Sequence, residues 1–161
     1  EVAGAVDNNG CAWPDSDGDG VLDKDDQCPE VAGTEGKGGC AELTQAQADE
    51  ILALSRTIGF NVGYSEYVKG DSEKVDSLAK LMSDYPTTNF VINGYADITG
   101  SEAINLKISK GRAEVVKAQL VAKGIDASRL ATIGHGYANP IASNKTYKGR
   151  KQNRRVEVIA K

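Results

Sequence analysis

The sequence predicts an α+β fold, a two-layer sandwich of helices on a small mixed β-sheet, with a short loop segment in front that cannot hold a fold by its apolar residues alone. Three observations lead there. Of the 161 residues, the first 40 carry ten acids against Lys24 and Lys37, whereas the remaining 121 carry 17 bases and 13 acids, so the chain is two electrostatic objects in series. Val, Ile, Leu and Phe divide the same way, 5 in the first 40 residues and 29 in the rest. A segment of about 40 residues with so little core needs a disulfide or a metal. Beyond it, helical and alternating apolar patterns take turns, as they do where helices are layered on a sheet. The expected boundaries are 1–41 for the loop segment and 42–161 for the globular domain.

The loop segment reads DSDGDGVLDKDDQC over residues 15–28. In a twelve-residue frame starting at Asp15, Asp15, Asp17 and Asp19 occupy positions 1, 3 and 5, Gly20 position 6, Asp23 position 9 and Asp26 position 12. Alternate side chains converge, glycine permits the sharp turn, a carbonyl at position 7 (Val21) adds an oxygen, and the last acid closes the shell, which is the oxygen-rich environment that Ca²⁺ takes. A merely solvated acidic run would not place its acids at those spacings. No helix is signalled on either side, and Cys28 and Pro29 follow the loop, so an EF-hand is not expected. The pattern resembles the thrombospondin type 3 repeat. The run Gly10, Cys11, Ala12 recurs as Gly39, Cys40, Ala41, which marks Cys11 as the closing cysteine of a preceding repeat. On that resemblance Cys28 pairs with Cys40, and Cys11 has no partner within these residues. The segment is thus expected to be calcium- and disulfide-stabilised. All three cysteines lie here and the lone His135 is far away, so a zinc site lacks ligands and an oxidising compartment is implied.

In the globular part, Thr44 and Gln47 form a capping box ahead of a helix running to Arg56. Ile58, Phe60 and Val62 alternate as a first strand. Asp71 can cap a second helix with Val75, Leu78, Leu81 and Met82 on one face, stopped by Pro86. Asn89 to Tyr95 reads as a strand. Ser101 or Glu102 opens a long third helix striped by Ile104, Ile108, Gly111 and Val115 and closed at Gly124. Leu130 to Gly136 reads as a third strand with its turn, Asn139 to Gln152 as a polar loop, and Arg155 to Ile159 as a last strand.

Asn105 and Arg112 lie two turns apart on the third helix, and Asp97 sits in the turn before it. The residues alone leave two readings open: a structural ion pair, or a site for a ligand carrying both an ammonium and a carboxylate. The runs GYADITGSEAINLKISKGRAEVVKAQLVAKGI, RLATIGHGYANP, NKTYKGR and NRRVEV resemble the C-terminal domain of the OmpA family, which is shared with peptidoglycan-associated lipoproteins and flagellar stator proteins. The resemblance covers about residues 42–161. It implies noncovalent binding of peptidoglycan through the diaminopimelate of the stem peptide, with Asp97 taking the ligand ammonium, Arg112 its carboxylate, and Asn105 and Arg155 in support. Where the family often has His-Thr before the aspartate, this chain has Tyr95 and Ala96.

The resemblance further implies the periplasmic portion of a Gram-negative outer membrane protein that anchors the membrane to the cell wall. The membrane-embedded region is expected outside these residues, since the chain starts at Glu1 with Met82 as its only methionine and has no apolar run of about 18 residues. An enzyme is not expected. One histidine excludes a multi-histidine metal centre, no cysteine follows Cys40 to act as a nucleophile, and an all-carboxylate cell-wall hydrolase is the remaining catalytic alternative. A calcium-dependent adhesion module is the other alternative, although a single repeat suits a spacer better. Lys145, Lys148, Arg150, Lys151, Arg154 and Arg155 raise nucleic acid, but the cysteine usage and sparse aromatics point to an anionic glycan or membrane surface instead, so no nucleic-acid partner is expected.

Overall fold

The computed structural model describes residues 13–161. They form two compact units, residues 13–43 with Asp84–Thr87, and Thr44–Ser83 with Thr88–Lys161. Cys11 lies outside the described residues. The first unit has no α-helix or strand among its described residues, only a 3₁₀ turn at Glu35–Lys37. Cys28 and Cys40 are joined in a disulfide, as expected, with Cα atoms 5.1 Å apart. Together with Val21 and Tyr85 they supply the buried apolar groups among the described residues of this unit, so covalent closure stands in for a core.

The second unit is the α+β sandwich. Its elements run α1 (Gln45–Arg56), α2 (Ser72–Ser83), β1 (Phe90–Gly94), α3 (Glu102–Ala122), β2 (Leu130–Gly134), α4 (Tyr147–Asn153) and β3 (Val156–Ala160). The capping box starts α1: Thr44 Oγ1 accepts from the Gln47 N–H, and Gln47 Oε1 accepts from the Thr44 N–H. The sheet order is β2-β1-β3, with β1 parallel to β2 and antiparallel to β3, and the parallel pair is joined through α3 as a parallel crossover demands. α3 lies against β1 and β2, α1 against β3, and α2 against both helices. Ile51, Ile58, Phe60, Leu78, Met82, Phe90, Ile92, Val116, Leu120, Val156 and Val158 are fully buried between the layers.

Three expectations need correction. Residues 58–62 do not form a strand; they make a single bridge, Phe60 to Tyr67. Ile58 and Phe60 alternate because both are core anchors of a loop, while Val62 is half exposed, and the chain turns back through the Asn61 N–H donating to the Glu66 carbonyl at 3.0 Å. The polar stretch after Asn139 is not all loop, since it contains α4, whose buried positions are Gly149 and Asn153; a helix with no apolar stripe leaves no periodicity to read. Finally, the buried face of α3 is Asn105, Ser109, Arg112, Ala113, Val116 and Leu120, whereas Ile104 is 55% exposed and Val115 36%.

The reason lies in the sheet. Gly94 and Gly134 are paired neighbours on β1 and β2, and α3 presses its backbone onto both: a Cβ on Gly94 would overlap the Ser109 carbonyl, and one on Gly134 would come within 2.5 Å of the Lys110 amide nitrogen. The helix face that fits so close is small or polar, and the bulkier apolar residues are rotated outward. Gly94→Ala is therefore expected to destabilise the second unit by about 1–3 kcal/mol or more through overpacking against backbone that cannot yield. Urea unfolding measures it, and wild-type stability in the variant would contradict the close approach.

Candidate functional site

The glycine seam brings the N-terminal half of α3 against the turn that leaves β1. Beside that seam lies a small cleft walled by Val62, Gly63, Ala96 and Ile108, whose polar groups are Asp97, Thr99, Asn105, Arg112 and Arg154. Asp97, Asn105 and Arg112 are thus brought together from the turn and two levels of one helix. All three are buried, at 4%, 2% and 1% exposure.

Arg112 is held as a fixed fork. Its Nε donates to the Tyr64 carbonyl at 3.0 Å and its two terminal nitrogens to the Tyr95 and Asn61 carbonyls at 2.8 and 3.0 Å, with the Phe60 ring 5.3 Å from the guanidinium carbon. Burial, then the neighbouring Arg154 charge, pull its pKa down to about 10 against the opposing pull of Asp97. At neutral pH it remains a cation. Asp97 does not pair with Arg112. One of its oxygens accepts from an Arg154 terminal nitrogen at 2.8 Å and the other from the Thr99 N–H at 2.7 Å. Burial alone would raise the Asp97 carboxyl, but the Arg154 hydrogen bond, the hydrogen bonds from Thr99 and the Arg154 charge outweigh it, and its pKa lies below the usual carboxylate value. The Nδ2 of Asn105 is buried with no hydrogen-bond partner, a costly state for an amide unless a ligand or solvent atom completes it.

Arg155, expected in support, is elsewhere. Its guanidinium stacks 4.0 Å over the Tyr95 ring and donates to Glu157 Oε1 and the Asn139 carbonyl, both at 2.9 Å. Tyr95 in turn stacks on His135 at 4.8 Å. The cleft takes Arg154 instead, and strand alternation carries the signal: Val156 and Val158 pair with Gly94 and Ile92, on the side of β1 that meets α3, so residue 154 shares their side and residue 155 points to the opposite face. Thr99 was also missed. It supplies Asp97 with a hydroxyl that Ala96 cannot.

In the acidic segment, Asp15, Asp17 and Asp19 each bring a carboxylate oxygen within 4.8 Å of the others. Gly20 has φ +94, the left-handed turn that the sixth position requires. Desolvation, then the charges of Asp19, Asp26 and Asp15, push the Asp17 carboxyl up, and one oxygen each of Asp17 and Asp26 is buried without a partner. These residues fit a hard divalent cation. Asp23 is drawn aside, with its two oxygens accepting from the Ser16 N–H and hydroxyl at 2.8 and 2.7 Å, and Val21 donates its own N–H to Asp19 at 2.7 Å.

The OmpA family matches residues 59–154. The peptidoglycan-binding protein ArfA of Mycobacterium tuberculosis is 38% identical over 91% of this chain and 44% of its own length. Outer membrane porin F of Pseudomonas aeruginosa is 34% identical over 89% of this chain and 40% of its own. The chain therefore spans less than half the length of those two relatives. Among solved structures, the peptidoglycan-associated lipoprotein from Burkholderia pseudomallei superposes with a TM-score of 0.60 over 65% of this chain and 88% of that one, at 21% identity, which is a likeness of fold. No described helix is long and apolar enough to cross a membrane.

The Asp97–Arg154 pair makes stability pH-dependent with a definite sign. An unfolded Asp titrates near about 3.9, and the folded Asp97 titrates lower. The unfolded chain thus takes up its proton first as pH falls, so the stabilisation is complete above about pH 5 and disappears through the folded value. Wild type and Asp97→Asn are expected to differ in urea stability at neutral pH and to converge in acid. A gap that stays constant down to about pH 2 would rule this out.

Proposed function

The chain belongs to the OmpA family, and on that premise we propose that its second unit binds peptidoglycan noncovalently through the diaminopimelate of the stem peptide. It acts as a non-catalytic anchor in the periplasmic part of an outer-membrane protein. The supporting observation is the charge balance of the cleft: Arg112 and Arg154 are buried against Asp97 alone among the lining carboxylates, next to an unpartnered Asn105 amide donor. A pocket with one cation in excess and a free donor suits a carboxylate. Asp97 accepts from Arg154 and from the N–H and hydroxyl of Thr99, which leaves a carboxylate room for one more donor, and a ligand ammonium shares it with Arg154. A zwitterionic amino-acid head meets both demands. Glycoside hydrolysis, by contrast, uses two carboxyl groups, one of them protonated; this cleft is lined by a single carboxylate whose pKa is lowered.

In the first unit we propose that Ca²⁺ is held by Asp15, Asp17, Asp19 and Asp26, with the Val21 carbonyl in the frame and Asp23 bracing the loop through Ser16. The ion would relieve the repulsion among the carboxylates and make the segment a stiff spacer. Proteolysis is expected to cut residues 13–28 faster in chelator than in calcium, with the second unit intact in both. Equal cutting would remove calcium from this reading.

Calorimetry with a diaminopimelate-containing stem peptide tests the cleft. Losing one partner of a buried charged contact costs about 2–5 kcal/mol, so Asp97→Ala and Arg112→Lys are each expected to weaken binding to purified sacculi at least tenfold while native circular dichroism is kept. Arg155→Gln should leave ligand affinity unchanged. Full binding by both cleft variants would show that the wall is held elsewhere.

A further inference from the structure

The segment after β2 carries a second, independently built surface. Residues 135–156 contain no acid and six Lys and Arg. Of these, Arg150 donates to the Asn144 carbonyl at 2.9 Å, and Arg154 and Arg155 are committed to Asp97 and Glu157. Lys145, Lys148 and Lys151 are exposed and enter no ion pair among the described residues. Lys148 and Lys151 are three apart on α4 and Tyr147 is four from Lys151, so the three share one helix face, with Tyr147 68% exposed among the ammonium groups.

That face is presented rigidly. Asn153, fully buried, accepts from the Ile141 and Ala142 N–H groups through Oδ1 at 2.9 and 3.0 Å, and donates through Nδ2 to the Ala142 carbonyl and Asn144 Oδ1 at 2.9 and 2.8 Å. Gly149 lets α4 lie against the Ser143 backbone, where a Cβ would overlap the carbonyl. The inner side of α4 is thereby clamped to its own leading loop. Like charges on one short rigid helix repel unless an anion lies across them.

We propose that Lys145, Tyr147, Lys148 and Lys151 form a docking surface for a carboxylate-bearing polysaccharide–peptide polymer, the same wall polymer whose amino-acid head enters the cleft. This rests on the function proposed above. The lysines supply the countercharge for carboxylates, and the tyrosine ring a flat apolar face for a sugar ring. Continuity selects this occupant over an anionic lipid surface: α4 is capped at its C-terminal end by Arg154, whose side chain lines the cleft, so Lys151 is one helical turn, about 5 Å, from the backbone of a cleft residue. A polymer anchored in the cleft has its neighbouring units at high effective concentration over the lysines.

The test is binding of purified sacculi by the whole chain at low and high salt, for wild type, the triple variant Lys145→Gln/Lys148→Gln/Lys151→Gln, and the corresponding triple Lys→Arg variant. Free diaminopimelic acid is titrated calorimetrically in parallel. The Gln variant should lose about tenfold in sacculus affinity at low salt and most of its salt dependence, the Arg variant should retain both, and neither should change affinity for the free amino acid. Unchanged sacculus affinity and salt dependence in the Gln variant overturns the proposal. So does wild-type binding to phosphatidylglycerol vesicles that needs these lysines while sacculus binding ignores them. If wild type binds no free diaminopimelic acid but sacculus binding still falls with the lysines, the docking surface stands and the reading of the cleft fails.

Discussion

The closeness of α3 to the sheet governs the second unit. Two glycines side by side on adjacent parallel strands remove the side-chain layer that normally separates a helix from a sheet, and α3 settles its backbone there. The approach is also hydrogen-bonded, since the Ser109 hydroxyl accepts from the Gly136 N–H at 2.8 Å. Once the helix is that close, its facing residues must be small or able to reach past the strand ends. Ala113 does the first. Asn105 and Arg112, at the level where β1 ends, do the second, and they enter the site because the seam puts them there.

The electrostatics of the cleft follow from this packing. Arg112 has no carboxylate directly bonded to it; its charge is spread over three carbonyl oxygens from two segments of chain. Carbonyls stabilise a buried guanidinium without neutralising it, so the positive potential survives in the pocket. Asp97 is occupied by Arg154. The desolvation of both arginines is met during folding, so their donors are already stripped of water and fixed in direction, which is what the proposed binding of a ligand carboxylate would require. A more ordinary design, with Asp97 bonded directly to Arg112, would leave the pocket electrically quiet.

The same packing explains what could be read from the sequence. Caps and breakers were legible: Thr44 with Gln47, Ser101 ahead of Glu102, and the glycine after α3 act locally, so their meaning does not depend on the rest of the fold. The pairing of Cys28 with Cys40 was legible through repeat logic. The orientation of α3 was not. Its most apolar stripe, through Ile104 and Val115, faces outward, and its inner face includes Asn105, Ser109 and Arg112. Periodicity finds the hydrophobic side of a helix, and here the buried side was selected by size and by the site. α4 escaped for the related reason that asparagine and glycine hold it in place. Between Arg154 and Arg155 the alternation of β3 carried the answer, since only the first shares the side of Val156.

Two kinds of buried polarity must therefore be told apart, because burial alone does not mark function. Asn153 is as deeply buried as Asn105, and Arg155 as deeply as Arg112. Asn153 has both ends of its amide bonded, and Arg155 is neutralised by Glu157 and covered by Tyr95; each closes a local account of donors and charges and specifies a loop or a strand entry. Asn105 leaves its amide nitrogen unpartnered, and Arg112 leaves its charge uncompensated by any direct carboxylate bond. Unsatisfied groups of that kind cost stability, and the fold retains both in the same cleft, within reach of one bound molecule. That deficit, more than the depth of burial or the residue types themselves, distinguishes Asn105 and Arg112 from Asn153 and Arg155.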